Sequence, residues 1–505
     1  MLTEAIQRAA TELGDRAAFV TPAGKALSFE QLERAAQQVA AGLHERGLGE
    51  GSVLGLVLTS DVDYVATYLG AARIGAVTAG INPLLTPAEA TGCLDRLGAD
   101  LVVVDPQLAH LTGPGAAPQV ERLEDGGYPA SAGGSLRSGS GMSDRALAGL
   151  AADPDDERPV CICFTSGSTG APKAAWFANR QLRAVAEIDA GGAWGAGHGI
   201  SSTQFAHVAF MTKLPWMLAC GRTTHVLERW SAGAALELVA RHRMAAVIGV
   251  APQIALMVRH PSSSVLDFSA VRAVVAGGGP STPELVRSAR ERFGAPYSIR
   301  YSSTESGGVG LGTALDARDD EACHSVGRPR PGVQAEIRDG DGQRLDPGET
   351  GELWLKSPTV MSGYWRDPES TSEALVNGWL RTGDLATVDR DGLHRLAGRL
   401  SDMFIRGGYN VHPAEVEGVL AGHPEVQEVA VVARPDPVMG EIGVAVVVPL
   451  HGASPPTLED LRAFGSRALA RHKLPEALKL VPELPRNATG KIDRRRLEAE
   501  RTHRT

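Results

Sequence analysis

Phe164-Thr165-Ser166-Gly167-Ser168-Thr169-Gly170-Ala171-Pro172-Lys173 follows the apolar run Val160 to Phe164, which reads as a buried strand. From Ser166 to Gly170 every side chain is small or absent, so backbone N–H groups lie open to phosphate oxygens. Thr165, Ser166, Ser168 and Thr169 add hydroxyls, and Lys173 adds a positive charge. The stretch is suited to holding phosphate; taken alone, a Gly/Ser cluster also fits an ordinary surface turn. The common P-loop is excluded, because it needs Gly directly before the Lys and Ser or Thr directly after it to meet Mg²⁺. Pro172 and Ala174 occupy those places here.

A chain of 505 residues exceeds one ordinary core, so two or more domains are expected. Apolar content of 43% with 22% charged residues is that of a globular protein in water. The net charge of −9 argues against non-specific nucleic-acid binding, so an anionic ligand has to be met by local features. Met1 to Ala10 reads as an amphipathic helix without a signal-peptide core, and no run approaches the ~20 apolar residues of a membrane span. Cys93, Cys161, Cys163, Cys220 and Cys323 form no zinc or redox spacing, which points to buried thiols in a reducing cytoplasm.

Ser28-Phe-Glu-Gln31 is a capping box followed by apolar residues at Leu32, Ala35, Ala36, Val39, Ala40 and Leu43, which predicts a helix stopping at Gly47. Val53 to Leu58 reads as a strand, Tyr64 to Ile74 as a helix, Pro87 to Gly98 as a helix capped by Thr86, and Leu101 to Val104 as a strand. This alternation predicts an α/β fold with a largely parallel sheet covered on both faces. From Leu111 to Asp153 the pattern dissolves into Gly, Ala, Ser and Pro, which reads as an exposed, mobile connection. Beyond the loop, a helix over Leu236 to Arg241 and strands over Ala245 to Val250 and Val271 to Ala276 are expected. Turn-rich short strands from Gly332 suggest a small β subdomain. A second domain is expected near Ser401, with helices over 413–421 and 457–470 and strands over 428–433 and 442–449. The predicted division is 1–400 for a large N-terminal domain of layered sheets and 401–505 for a small, mobile α+β domain.

Four further segments accompany the loop: Gly277-Gly278-Gly279-Pro280 between a strand and a helix; Tyr301-Ser302-Ser303-Thr304-Glu305; Arg381-Thr-Gly-Asp384; and Gly398 to Glu417 with Arg399, Asp402, Gly407 and Gly408. Near the end stands Leu484-Pro-Arg-Asn-Ala-Thr-Gly-Lys491-Ile. Alone, each has a bland reading as a turn, a hairpin or solvated surface. Together, in this order and spanning about Leu27 to Ile492, they resemble the adenylate-forming superfamily, in particular its acyl-CoA synthetase branch.

That resemblance implies roles. The 165–173 loop grips phosphate; Gly278, Gly279 and Pro280 with Tyr301 enclose adenine; Thr304 contacts phosphate, and Glu305, with Thr165, binds Mg²⁺. Ser302 stands where the family has Gly, adding bulk beside the nucleotide, and Ser303 follows it. Asp384 accepts from both ribose hydroxyls, a task suited to two carboxylate oxygens. Arg399 serves the ribose or phosphate side, Asp402 is the hinge, and Gly407 and Gly408 reach the active site after rotation. Lys491 is the adenylation lysine, and His207, in Phe205-Ala-His207, lies beside the substrate carboxylate. Val250-Ala-Pro252 and Gly307-Gly308 border the acyl pocket.

The implied reaction is ATP-dependent activation of a carboxylic acid to an acyl-adenylate, then transfer to the thiol of coenzyme A with release of AMP and pyrophosphate. Phe205 to Phe210 contains no acid to hold a substrate amine, which counts against a peptide-synthetase role. The alternatives are an acyl-AMP ligase loading a carrier-protein phosphopantetheine and a nucleotide-binding protein without catalysis. A homodimer is a further candidate partnership.

Overall fold

The computed structural model describes residues 1–113, 119–121, 155–165, 172–190, 197–227, 229–279, 281–452, 454–487 and 491–499. The readings of Ser166, Gly167, Ser168, Thr169, Gly170 and Pro280, and of most of the connection over 111–153, lie outside the described residues. The chain divides into two compact units, Met1–Ala335 with Leu355–Leu380, and Glu336–Trp354 with Arg381–Thr505.

In the larger unit, Ser28 and Thr86 form the capping boxes their sequences predict, starting the helices Phe29–Glu45 and Pro87–Leu97. The helices Phe29–Glu45 and Val62–Arg73 pack closely because Gly70 has no side chain: a Cβ there would sit 2.7 Å from Val39 and 2.8 Å from the Ala36 carbonyl. A buried Arg73–Glu33 ion pair crosses the same interface. The alternation yields a seven-stranded sheet in the order Gly363–Tyr364, Ala174–Ala178, Pro159–Phe164, Val77–Gly80, Val53–Val57, Leu101–Val104, Gln119–Glu121. Its five strands from Pro159–Phe164 onward are parallel, and Val53–Val57 and Leu101–Val104 are buried at every position, as a sheet covered on both faces requires. A second sheet begins with the parallel strands Ala246–Val250, Ala273–Gly277 and Tyr297–Tyr301. A third holds Ala26–Ser28, Ala17–Val20, Thr223–His225 and His198–Ile200.

In the smaller unit, Trp379–Val388 and His394–Arg399 pair antiparallel, and residues of the turn-rich stretch, Glu336–Trp354, pack with this unit. The long hairpin Val426–Asp436 and Gly440–Pro449 centres a sheet with Phe404–Arg406, Tyr409–Val411 and Ala477–Leu480. Phe404, Val431, Val447 and Leu461 form part of its core.

Three elements depart from expectation. The helix expected over 457–470 is Leu458–Gly465: Gly465 lies where a Cβ would be 3.0 Å from Leu474, and its carbonyl accepts both the Ala468 and Leu469 N–H groups, turning the chain. The helix expected from Leu236 starts at Ala232, because the Ser231 hydroxyl caps the Ala234 N–H. The antiparallel strand Ala174–Ala178 is not signalled by any alternation, being buried at nearly every position.

Candidate active site

The strands Pro159–Phe164 and Ala174–Ala178 run antiparallel with Phe164 opposite Ala174, so the Thr165-to-Lys173 connection leaves and returns at one sheet end. Its neck is closed twice: the Thr165 N–H donates to the Lys173 carbonyl at 2.8 Å, and the Lys173 N–H donates to Thr165 Oγ1 at 3.1 Å. From that neck Lys173 Nζ lies 5.0 Å from the centre of the Tyr364 ring. The Tyr364 hydroxyl donates to Glu305 Oε1 at 3.0 Å. Burial, and then the Glu305 charge, push the phenol well above its ordinary range, so it stays protonated as a donor. A cation, an aromatic ring and a carboxylate thus stand in a row beside the loop.

Glu305 owes its place to a second feature. Ala273–Gly277 and Tyr297–Tyr301 are parallel neighbours with Gly277 opposite Arg300, so Gly278-Gly279 and the chain after Tyr301 leave their strands at the same, carboxyl-terminal edge, where α/β sheets bind ligands. Gly278 has φ +71°, and a Cβ on Gly279 would meet nothing within 4 Å, leaving that backbone face open. Tyr301, Ser302, Ser303, Thr304 and Glu305 are all half-buried. Ser303 and Ser306 bond each other reciprocally, N–H to hydroxyl at 2.9 and 3.1 Å, and the Gly307 N–H donates to the Thr304 carbonyl at 3.0 Å. This turn fixes Glu305, whose own carbonyl accepts the Met361 N–H at 2.8 Å.

His207 starts the short helix Val208–Met211. Asn82 Oδ1 accepts the Leu84 N–H at 3.0 Å, which turns its amide nitrogen toward His207 Nε2, 3.3 Å away. That nitrogen accepts, so the proton of a neutral ring is on Nδ1. Phe205 is fully buried and stacks on Phe210 with centroids 3.8 Å apart, a rigid floor under this segment. Val250 directly precedes the helix Ala251–Arg259, and its side chain lies 3.1 Å from where a Gly278 Cβ would be. Gly307 and Gly308 both have positive φ, with Lys213 and Val208 against Gly308. Lys213 Nζ pairs with Asp189 at 2.5 Å, and Arg330 joins at 2.9 Å. Burial would raise the Asp189 carboxyl, but the two cations outweigh it and hold the group below its ordinary value.

Within the smaller unit, Asp384 and Arg399 are register partners and form an ion pair at 2.8 Å, Asp384 buried and Arg399 half-buried. Asp402 ends a short 3-10 turn and pairs with Arg494 at 3.2 Å. Arg494 in turn grips Glu417 through two nitrogens at 2.7 and 2.8 Å and donates to the Val431 carbonyl at 2.8 Å. Gly407 and Gly408 are the two-residue link of the hairpin Phe404–Arg406 and Tyr409–Val411, with φ +55° and +86°, the backbone such a tight hairpin demands. The helix Pro413–Leu420 follows. Lys491 is exposed on a loop whose ends are joined by an Arg486–Ile492 bridge, with the Lys491 N–H donating to Asn487 Oδ1 at 3.0 Å.

The family model for AMP-binding enzymes matches residues 6–365, and that for the AMP-binding enzyme C-terminal domain matches residues 415–491. The chain belongs to the AMP-binding enzyme family. This AMP-binding enzyme is 32% identical over 488 residues to a feruloyl-CoA synthase from Amycolatopsis, covering 95% of each chain. It is 30% identical over 488 residues to a fatty acid–[acyl-carrier-protein] ligase from Streptomyces coeruleorubidus, covering 94% of this chain and 91% of that one. Its structure resembles that of the amide bond synthetase McbA from Marinactinospora thermotolerans, with a TM-score of 0.87 and 29% identity over 99% of this chain and 100% of that one.

Sequence reasoning missed the residues that hold the others in this AMP-binding enzyme. Tyr364 bonds Glu305, Asn82 bonds His207, and Arg494 bonds Asp402. Tyr364 and Asn82 are far in sequence from their partners, and only the sheet brings them near. Arg494 carried a weak signal, as the second charged residue after Lys491-Ile492 at the start of the last described helix, Arg494–Ala499.

Proposed function

We propose that this AMP-binding enzyme converts a carboxylic acid and ATP to an acyl-adenylate and pyrophosphate, then passes the acyl group to the thiol of coenzyme A, releasing AMP. The observation that carries this reading is the row Lys173–Tyr364–Glu305 at the neck of the 165–173 loop. It holds a lysine cation and a carboxylate against one phenol ring, which supports the reading that one triphosphate and its metal meet both.

A carboxylate is a poor electrophile, because its oxygen is a poor leaving group. Attack of that oxygen on the α-phosphorus makes it part of AMP, which leaves readily, while the phosphoryl oxygens gain charge. We assign Lys173, the hydroxyls of the 165–173 loop and Lys491 to stabilise that charge during this half-reaction. The residues present fit Mg²⁺: Glu305 keeps a second carboxylate oxygen beyond the one bonded to Tyr364, and Thr165 adds a hydroxyl, both hard oxygen donors. When bound, Mg²⁺ neutralises phosphate charge. Gly278, Gly279 and Pro280 with Tyr301 take the adenine, with Ser302 and Ser303 flanking it and Thr304 on phosphate. Asp384, held by Arg399, takes the ribose hydroxyls. His207, held by Asn82, orients the substrate carboxylate.

For the second half-reaction the assigned pivot is Asp402, so the functional boundary lies at 400/401, and the Gly407–Gly408 link then serves the thiol. The similarity to the acyl-carrier-protein ligase supports a second reading, a carrier phosphopantetheine as the acceptor. Among the described residues no helix is long and apolar enough to cross a membrane. We place the reaction in the cytoplasm on a separate ground, the free buried thiols of Cys93, Cys161, Cys163 and Cys323, which suit a reducing compartment.

The test is ATP–pyrophosphate exchange over a panel of carboxylic acids, followed by acyl transfer to coenzyme A, to a phosphopantetheinylated carrier, and to a free amine. Acid-dependent exchange with fastest transfer to coenzyme A is expected. Exchange with no acid in the panel sinks the ligase reading, and faster transfer to the carrier or the amine replaces the acceptor.

A further inference from the structure

We propose that His198, His225 and His242 form a binding site for a divalent d-block ion of the zinc, nickel or copper kind, separate from the nucleotide and acyl groups. The three come from different elements. His198 opens the edge strand His198–Ile200, His225 ends the neighbouring strand Thr223–His225, and His242 caps the helix Ala232–Arg241. The parallel register sets Thr223 opposite His198, and His225 shares a strand face with Thr223, so its ring reaches diagonally to His198. His198 Nδ1 and His225 Nε2 are 3.0 Å apart, and one ring nitrogen from each of the three residues lies within 4.8 Å of the other two.

In a tetrahedral site with metal–nitrogen bonds near 2.0–2.1 Å, neighbouring ligand nitrogens stand about 3.4 Å apart. Side-chain rotation of an ångström or so closes the cluster to that spacing. The burial is graded in a useful way: His225 is buried and fixed, His242 is half-buried and His198 is exposed, so the third ligand and a water in the fourth position are reached from solvent. Burial, reinforced by neighbouring histidines, holds the imidazolium form of His225 down to a pKa of about 4, and burial also lowers His198 and His242. The rings are therefore neutral near pH 7, which is the ligating form. Arg16 and Arg241 are neighbouring charges that oppose a cation, and among the described residues no carboxylate completes the set, so binding is expected to be micromolar rather than of the tightness of structural zinc sites. Imidazole nitrogen selects zinc, nickel and copper over magnesium, which prefers oxygen, so this site and Glu305 do not share an ion. A bound ion would clip a three-residue edge strand to the helix behind it, raising the thermal stability of the folded chain by mass action.

The experiment is calorimetric titration of the full chain with Zn²⁺ in excess Mg²⁺, with Co²⁺ absorbance as a second readout of nitrogen ligation. One saturable Zn²⁺ per chain is expected, with intense visible Co²⁺ bands and a rise in Tm. His198→Ala and His242→Ala should each weaken Zn²⁺ at least tenfold while leaving acid-dependent pyrophosphate exchange intact. His198 is exposed, so its variant keeps the fold. Glu305→Gln should leave Zn²⁺ binding as it is. Absence of saturable Zn²⁺ in the parent chain, affinities within twofold of the parent in both histidine variants, or loss of binding in Glu305→Gln each overturns the proposal.

Discussion

Replacing Gly307 by Ala tests whether the turn carrying Glu305 is as rigid as its contacts imply. Gly307 has φ +71°, and a Cβ there would sit 2.3 Å from the Thr359 carbonyl oxygen. Thr359 cannot move aside cheaply: it is fully buried, and its Oγ1 donates to the Ser306 carbonyl at 2.9 Å. Gly307 is tied as well, its carbonyl accepting from Thr212 Oγ1 at 3.1 Å. The left-handed backbone costs an alanine about 1 kcal/mol. Displacing buried backbone adds about 1–3 kcal/mol, so a loss of roughly 2–4 kcal/mol is expected. Unfolding entropy near 2.1 cal/mol/K per residue gives the larger unit roughly 0.8 kcal/mol/K, so Tm should fall by about 3–5 °C in scanning calorimetry. Because the displaced turn holds Glu305, the Mg²⁺ concentration for half-maximal pyrophosphate exchange should rise too. Gly279→Ala is the matched control. Its Cβ enters open space, so Tm should stay within about 1 °C while the ATP KM rises. Equal Tm losses in the two variants, or none in Gly307→Ala, would refute the reasoning.

Lys491→Ala should lower adenylate formation about 10²–10³-fold and leave the fold intact, since the Asn487 bond is made by the Lys491 backbone; the same variant should still convert supplied acyl-adenylate to thioester, and joint loss of both half-reactions would remove its assigned role. Glu305→Gln should shift the Mg²⁺ titration of exchange to higher concentration, and Tyr364→Phe should do so less, because it removes only a donor to one carboxylate oxygen; coincident titration curves for Glu305→Gln and the parent would exclude metal binding there. Asp384→Ala removes the ribose acceptor and unpairs Arg399, so ATP KM should rise strongly, each lost bond to a charged group being worth about 1.5–3 kcal/mol; an unaltered KM places Asp384 outside the nucleotide site. Asp402→Pro and Gly408→Leu should keep much of the exchange and lose thioester formation, with Gly408→Leu also less stable by about 1–2 kcal/mol because φ is +86°; exchange lost with transfer from supplied adenylate retained would contradict the pivot.

Local chemistry written into neighbouring residues was the part legible in the sequence. The boxes at Ser28 and Thr86 need only residues three apart, and the Gly407–Gly408 hairpin needs two glycines in a row, so each could be read without a fold. The parallel strands were legible for a similar reason, because burial on both faces leaves an unbroken apolar run. What escaped reading depends on closure across the chain. The Tyr364 hydroxyl reaches Glu305 because the short strand Gly363–Tyr364 adds to the edge at Ala174–Ala178, and no spacing encodes that pairing. The histidines at 198, 225 and 242 were silent for the same cause: two parallel strands and a helix end bring them together. The Asp384–Arg399 pair was half legible, since both residues were named but their partnership depends on the hairpin register.

The neck at Thr165 and Lys173 has a consequence for how such a loop can change over evolutionary time. Where a phosphate lysine rides on the first turn of a helix, any insertion before it rotates the side chain about the helix axis. Here Lys173 is placed by the pairing of Phe164 with Ala174 and by two bonds to Thr165, all outside the stretch 166–171. These described contacts hold the lysine at its station above Tyr364. The aim of the charge is thereby set at the neck, while the small residues and hydroxyls between stay under the separate constraint of meeting phosphate.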